Sequence, residues 1–263
     1  EGFEGLPVLI GPVTYLSLAK SKNESFDPVS LIEKITPIYI EALKKLQEMG
    51  ASWVQLDEPC LCLDLPPAQK QAYTKAYTAI KDALPDLNIF LTTYFEGLRD
   101  NTDLVFSLPV AGIHIDAVRA PDQIDPCIQK AKETGKHLTL GLVNGRNIWR
   151  NDLSSSLAIL DKAKAVLGDD KLGVAGSCSL LHSPVDLAQE DTLDSELKSW
   201  MAFATQKLSE ITTLAKGASE GRDAIKDALA ASDAAEASKR ASTRINNPNV
   251  QERMKAITPE MSS

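Results

Sequence analysis

Short apolar runs alternate along this chain with longer stretches in which apolar residues recur at helical spacing. The runs are 7–10 (PVLI), 53–56 (WVQL), 89–92 (IFLT), 112–115 (GIHI), 138–143 (LTLGLV) and 172–175 (LGVA). Each is bounded by Gly, Pro, Asp or Asn and is apolar without strict alternation, as expected of strands covered on both faces of a parallel sheet. The stretch 30–49 places Leu31, Ile32, Ile35, Ile38, Tyr39, Ala42, Leu43 and Leu46 on one helical face and stops at Gly50, a residue suited to the left-handed turn after a helix. The same reading predicts helices over 68–83, 100–107, 122–134, 153–167 and 191–215.

Strand–helix alternation of this kind builds parallel βαβ units, in an open doubly wound sheet or in a barrel. No Gly-x-Gly-x-x-Gly or Walker-type loop follows any strand, which weakens the nucleotide-binding open sheet. Polar residues instead gather after many strands: Thr14, Asp57-Glu58, Thr92-Thr93-Tyr94, Asp116, Asn144 to Arg146, and Ser177-Cys178-Ser179. A barrel draws its site from every strand at that end. The expected fold is therefore α/β, a (β/α)8 TIM barrel that is incomplete in this chain, with about six βα units. The chain opens at Glu1-Gly2-Phe3, and the two missing strands are expected upstream. Residues 1–216 are expected to form the partial barrel. From 217 the chain turns rich in Ala, Ser, Asp, Glu and Lys, with few large apolar residues besides Ile225 and Leu229. Residues 217–263 are expected to be an interdomain linker, helical or partly disordered.

Composition narrows the partners. The 36 Asp+Glu against 28 Lys+Arg leave a net charge of −8, and no long basic cluster is present, which argues against nucleic acid and anionic membrane surfaces. No apolar run approaches the roughly 20 residues of a membrane helix. Four cysteines in 263 residues do not make a disulfide scaffold, so a cytoplasmic setting is expected.

Isolated motifs carry little chemistry. Asp57 and Glu58 end a strand, and being adjacent they point to opposite faces, so only one can face a barrel mouth. They could bind a substrate amine or hydroxyl, or hold the loop through backbone N–H groups. Cys60-Leu61-Cys62 lacks the Cys-x-x-Cys spacing of metal and redox pairs, and Cys127 sits in a helical run. Cys178 follows a strand among small residues, where a ligand could approach. His114 and His137 belong to strands, whereas His182 could reach the site mouth. No His-Glu-x-x-His or nucleophile elbow occurs.

Five strings together resemble a known family: Leu9-Ile10-Gly11-Pro12-Val13-Thr14, Val54-Gln55-Leu56-Asp57-Glu58-Pro59, Leu91-Thr92-Thr93-Tyr94-Phe95, the run 141–149 (GLVNGRNIW) and the run 177–186 (SCSLLHSPVD). In order, and each at a strand end, they look like the N-terminal domain of cobalamin-independent methionine synthase, over about 7–214, with a tail like that family's interdomain segment. The resemblance implies methyl transfer from 5-methyltetrahydrofolate polyglutamate to homocysteine. It also implies a partner, the C-terminal catalytic barrel of the same protein, which holds zinc through His, Cys, Glu and Cys. This barrel would help bind the folate, and the chain alone would be inactive.

Comparison with the zinc-bearing sister barrel puts Thr92 and Tyr94 where His and Cys ligands would stand, Asp116 at the Glu ligand and Cys178 at the last Cys. Two of four ligand types are lost, so no zinc is expected to bind this chain. The candidate substrate-binding residues are Asp57, Glu58, Arg119, Asn144, Arg146 and His182. Among the cations near strand ends, Arg119, Arg146 and Arg150 could grip glutamate carboxylates bidentately. Two other readings stay open: a non-catalytic folate-binding module, and another barrel methyltransferase or decarboxylase of the same superfamily.

Overall fold

A computed structural model describes residues 5–23, 25–258 and 261. The chain divides into two compact units, Glu1–Arg146 with Leu160–Leu180, and Asn147–Ile159 with Leu181–Ser263.

The first unit is built on a parallel sheet. Its strands are β1 (Val8–Ile10), β2 (Trp53–Asp57), β3 (Asn88–Thr92), β4 (Gly112–Asp116), β5 (His137–Val143) and β6 (Leu172–Gly176). They lie in sequential order, every neighbouring pair parallel. Sequential parallel order is the order of a (β/α) barrel. The described sheet is not closed, because β1 pairs only with β2 and β6 only with β5.

Register explains the residue pattern. Val54, Leu56, Ile89, Leu91, Ile113, Ile115, Leu138 and Leu140 share one face and are all buried. The opposite face carries Trp53, Gln55, Asp57, Phe90, Thr92, His114, Asp116 and Thr139. One face is thus an aliphatic core and the other a mixed polar layer, and that second face leads to the strand ends where the site lies. Val8 and Ile10 of β1 are 53% and 40% exposed, because the sheet ends there.

The connecting helices of this unit start with α1 (Pro12–Leu18), a short helix that the apolar pattern does not signal. Then come α2 (Ile32–Glu48), α3 (Pro67–Ala83), α4 (Thr102–Ser107), α5 (Ile124–Thr134) and α6 (Leu153–Leu167). Several follow a 3₁₀ turn, as at Pro28–Leu31, where the Asp27 carboxylate accepts the Val29 N–H. α2 ends before Gly50, as expected, and α5 ends at Gly135; both glycines have positive φ, the left-handed turn that follows a helix. The start of α6 belongs to the second unit and its remainder to the first.

In the second unit the helix expected over 191–215 is two, α7 (Ser195–Ser199) and α8 (Ala204–Glu220). Residues 200–202 bond to the segment after β5 instead of continuing a helix. Arg150 N–H donates to the Trp200 carbonyl, Ala202 N–H to the Ile148 carbonyl, and Trp149 bridges Met201.

α9 (Lys226–Ala241) and α10 (Pro248–Lys255) follow. The composition shift at 217 lies inside α8. α9 has few large apolar residues, yet it buries Ser232 and Ala235. The Ser232 hydroxyl accepts the Leu153 N–H and donates to the Asn151 carbonyl, and the Trp200 indole donates to Ser238. Small residues permit this close approach. Among the described residues, no helix is long and apolar enough to cross a membrane.

Candidate functional site

Glu58 follows β2 and is fully buried. Its Oε1 accepts the Val13 N–H at 3.2 Å and the Tyr77 hydroxyl at 3.1 Å, and its Oε2 accepts the Thr14 N–H at 2.7 Å. Those two N–H groups open α1, where a helix has no partners of its own and favours negative charge. Gly11 makes the approach possible, since a Cβ there would fall 2.2 Å from the Glu58 carboxyl. Burial raises the Glu58 pKa to about 7, while the hydrogen bonds from Thr14, Val13 and Tyr77 pull it down. Both oxygens of Glu58 are therefore committed to holding α1.

Asp57 faces the other way, onto the polar layer, and is half-buried. Its Oδ1 accepts from the Gln55 amide at 2.7 Å and its Oδ2 accepts the Tyr94 hydroxyl at 3.2 Å. Burial first, and then Asp57, raise the Tyr94 pKa. Thr92 pairs with Asp57 across the sheet. Its buried hydroxyl has no hydrogen-bond partner among the described residues.

Asp116 ends β4 and ties two loops together. Its Oδ1 accepts the Val118 and Arg119 N–H groups at 3.0 and 2.8 Å, and its Oδ2 accepts the Phe95 N–H at 3.1 Å. Phe95 has φ +82°, a left-handed conformation uncommon for a bulky residue. Its ring meets Tyr94 edge-on at 4.6 Å, and the Arg146 guanidinium lies over it at 5.0 Å. Asn144 Oδ1 accepts the Arg146 N–H at 2.9 Å. Gly145 N–H donates to the Ser177 hydroxyl, and a Cβ at Gly145 would fall 2.8 Å from the Cys178 carbonyl. The ends of β2 and β4 and the loop after β5 are thus each linked to the loop after β3, and the loop after β5 also to the one after β6, with Arg119 and Arg146 exposed at the rim.

His114 lies inside this layer. Its ring nitrogens sit 2.9 Å from the Thr93 and Gly176 carbonyl oxygens, and burial lowers its pKa.

The four positions matched to zinc ligands do not fit that metal. Zinc takes thiolate, imidazole and carboxylate donors. Thr92 and Tyr94 offer hydroxyls, and that of Tyr94 is engaged with Asp57. Both Asp116 oxygens are taken by backbone N–H groups. Burial raises the pKa of the Cys178 thiol. Among the described residues no group of three or more His, Cys, Asp or Glu side chains is placed to hold a metal.

His182 and Arg150 belong to the second unit. His182 is exposed, and Arg150 donates to the Ala231 carbonyl at 3.4 Å. In the same unit α8 carries two buried charges that residue spacing does not reveal. Lys207, fully buried, donates to Asn147 Oδ1 at 3.2 Å and to the Trp149 carbonyl at 2.9 Å. Glu210 accepts the Asn151 N–H at 2.9 Å. Burial lowers the Lys207 pKa and raises that of Glu210. Sequence reasoning also gave Phe95 no role of its own, since nothing in an aromatic residue advertises a left-handed backbone.

Residues 1–168 match the family described as cobalamin-independent synthase, N-terminal domain. A 5-methyltetrahydropteroyltriglutamate–homocysteine methyltransferase of Nitrobacter winogradskyi is 48% identical over 99% of this chain and 34% of its own length. Relatives of the same name from Rhodopseudomonas palustris and Coxiella burnetii are 47% and 45% identical, with 33% of each covered. The chain spans about a third of the length of the curated relatives it matches. The structure of a B12-independent methionine synthase from Shewanella sp. W3-18-1 in complex with selenomethionine has a similar fold. It aligns with TM-score 0.52 and 17% identity over 85% of this chain and 62% of its own.

Proposed function

This chain belongs to the cobalamin-independent synthase N-terminal domain family, and on that premise we propose that it is the folate-holding part of a methyltransferase. The reaction is transfer of a methyl group from 5-methyltetrahydropteroyltri-L-glutamate to L-homocysteine, giving L-methionine. One observation carries the reading: identity of 44–48% over 99% of the chain to relatives named for that activity. In this reading Arg119 and Arg146 meet glutamate carboxylates at the rim, since a guanidinium grips a carboxylate bidentately. Asp57 and Asn144 present polar groups beside them, while Glu58 holds α1. His182 and Arg150 lie in the second unit and the reading does not rest on them.

Zinc, in this reading, belongs to a C-terminal catalytic domain of the same protein, and the donors of this chain leave it none. The setting is cytoplasmic, supported by four buried cysteines without disulfides. The net charge of −8 argues against nucleic acid and anionic membrane as partners.

The test compares this chain with the full-length protein that carries it, following transfer of labelled methyl from the triglutamate donor to homocysteine. The full-length protein is expected to turn over and the chain alone to be inert. Methionine made by the chain alone, or an inert full-length protein supplied with zinc, would overturn the reading.

A further inference from the structure

We propose that the groove between α1 and the start of α2 binds a straight-chain monocarboxylate of about a dozen carbons, a fatty acid whose chain fills the groove and whose carboxylate meets Lys20 and Lys34. The site shares no residue with the strand-end layer and is independent of the methyl-transfer reading.

The apolar face of α2 is wider than the core it meets. Ile32 and Leu43 are buried, whereas Ile38 on the same face is 64% exposed. Leu31, Ile35 and Ile38 recur at helical spacing and form one wall of a groove of about 470 Å³. Tyr15 and Leu16 of α1 and Phe26 from the connecting segment line it as well, with Tyr15 51% and Phe26 41% exposed. Single exposed apolar residues are ordinary on a protein surface. A concave group of this volume has instead the size and lining of a small-molecule site. The α1 wall is fixed, since Leu16 is buried and Glu58 holds the start of the helix.

The ionic groups in the lining are of one sign. Lys20, which follows α1, and Lys34 of α2 both line the groove, and no carboxylate does so among the described residues. Nearby Lys44, Lys45 and Lys75 each pair with a glutamate, whereas Lys20 and Lys34 have no ion-pair partner among the described residues. The Ser21 hydroxyl is tied to its own loop, donating to the Asn23 carbonyl and accepting the Asn23 N–H. In a chain of net charge −8, two such cations beside an apolar trough favour a ligand with a negative head and an apolar body.

Size selects among such ligands. A methylene takes up close to the roughly 30 Å³ of a water molecule in the liquid, so the groove holds a chain of about a dozen carbons with the carboxylate at its rim. A protein partner needs a larger surface. Eleven residues line the groove, against roughly 20–30 a side in a stable protein interface.

The experiment titrates the full-length protein by calorimetry with octanoate, decanoate, dodecanoate and dodecan-1-ol, each below its micelle concentration. Each added methylene from octanoate to dodecanoate is expected to tighten binding about two- to fourfold. The alcohol is expected to bind roughly three- to tenfold more weakly than dodecanoate. Lys20→Gln combined with Lys34→Gln is expected to weaken dodecanoate by that same factor and leave the alcohol unchanged, a split that a general loss of folding would not give. Ile38→Ser, an exposed change, is expected to weaken both ligands about fivefold, and Lys44→Gln, outside the groove, to weaken neither. Affinity indifferent to chain length would overturn the inference. So would dodecanoate binding that survives both the double lysine change and Ile38→Ser, uptake seen only above the micelle concentration, or a full-length protein that takes up none of the four ligands.

Discussion

The imidazole of His114 reaches from β4 to within 2.9 Å of the Gly176 carbonyl oxygen on β6, passing over β5 at Gly141. A Cβ at Gly141 would lie 2.7 Å from His114 Nε2, 2.8 Å from Ser177 Cα and 2.9 Å from the Gly176 oxygen. Two of those neighbours are backbone and cannot swing aside. Gly141→Ala should cost at least about 1–3 kcal/mol, the usual cost of overpacking. Chemical denaturation would show it, with Gly5→Ala, where nothing lies within 4 Å, as a control that stays within roughly 0.5 kcal/mol.

Glu58 makes stability depend on pH in an unusual direction. Its pKa is about 7 in the folded chain against a reference value of 4.5, so the folded state holds the proton more tightly than the unfolded one. The contribution is fully present below about pH 4.5 and is lost as pH rises through about 7, with a size on the order of 3 kcal/mol. The stability difference between wild type and Glu58→Gln, measured in urea from pH 4.5 to 8, should therefore shift against the wild type as pH rises. A difference that stays flat across that window would show that Glu58 is not held in this way.

Lys207 anchors the segment after β5 within the second unit. Lys207→Met leaves Asn147 Oδ1 and the Trp149 carbonyl without their donor and removes the positive charge near Glu210. The expected loss is about 1–3 kcal/mol, with Lys207→Met and Glu210→Gln combined costing less than their sum, because the two groups share one electrostatic interaction. Additive single and double variants would remove that coupling.

Zinc analysis gives a further check. After dialysis this chain is expected to retain only substoichiometric zinc, since three backbone N–H groups occupy Asp116 and the Tyr94 hydroxyl is engaged with Asp57. One equivalent retained, and lost on changing Cys178 to Ser, would contradict this account of the donor set.

Sequence alone was enough for the strands, because short apolar runs such as LTLGLV, bounded by turn residues and alternating with helical patterns, fit the strands of a parallel sheet. It also determined α2, α3, α5 and α6, whose apolar residues repeat at helical spacing, and the family, through five strings at strand ends. It did not separate α7 from α8, because the break arises from hydrogen bonds to residues about 50 positions earlier. Nor did it show how closely α9 packs, because that contact is made by Ser232 and Ala235, which leave no apolar stripe. Asp57 and Glu58 were legible as a pair pointing to opposite faces. Which one is consumed in holding α1 was decided by Gly11, Val13 and Thr14 arriving from another strand end. Periodicity records which face of an element is buried. Burial of a particular charge, the left-handed turn at Phe95 and the guanidinium above it depend on contacts between distant parts of the chain, and only the folded arrangement fixes those.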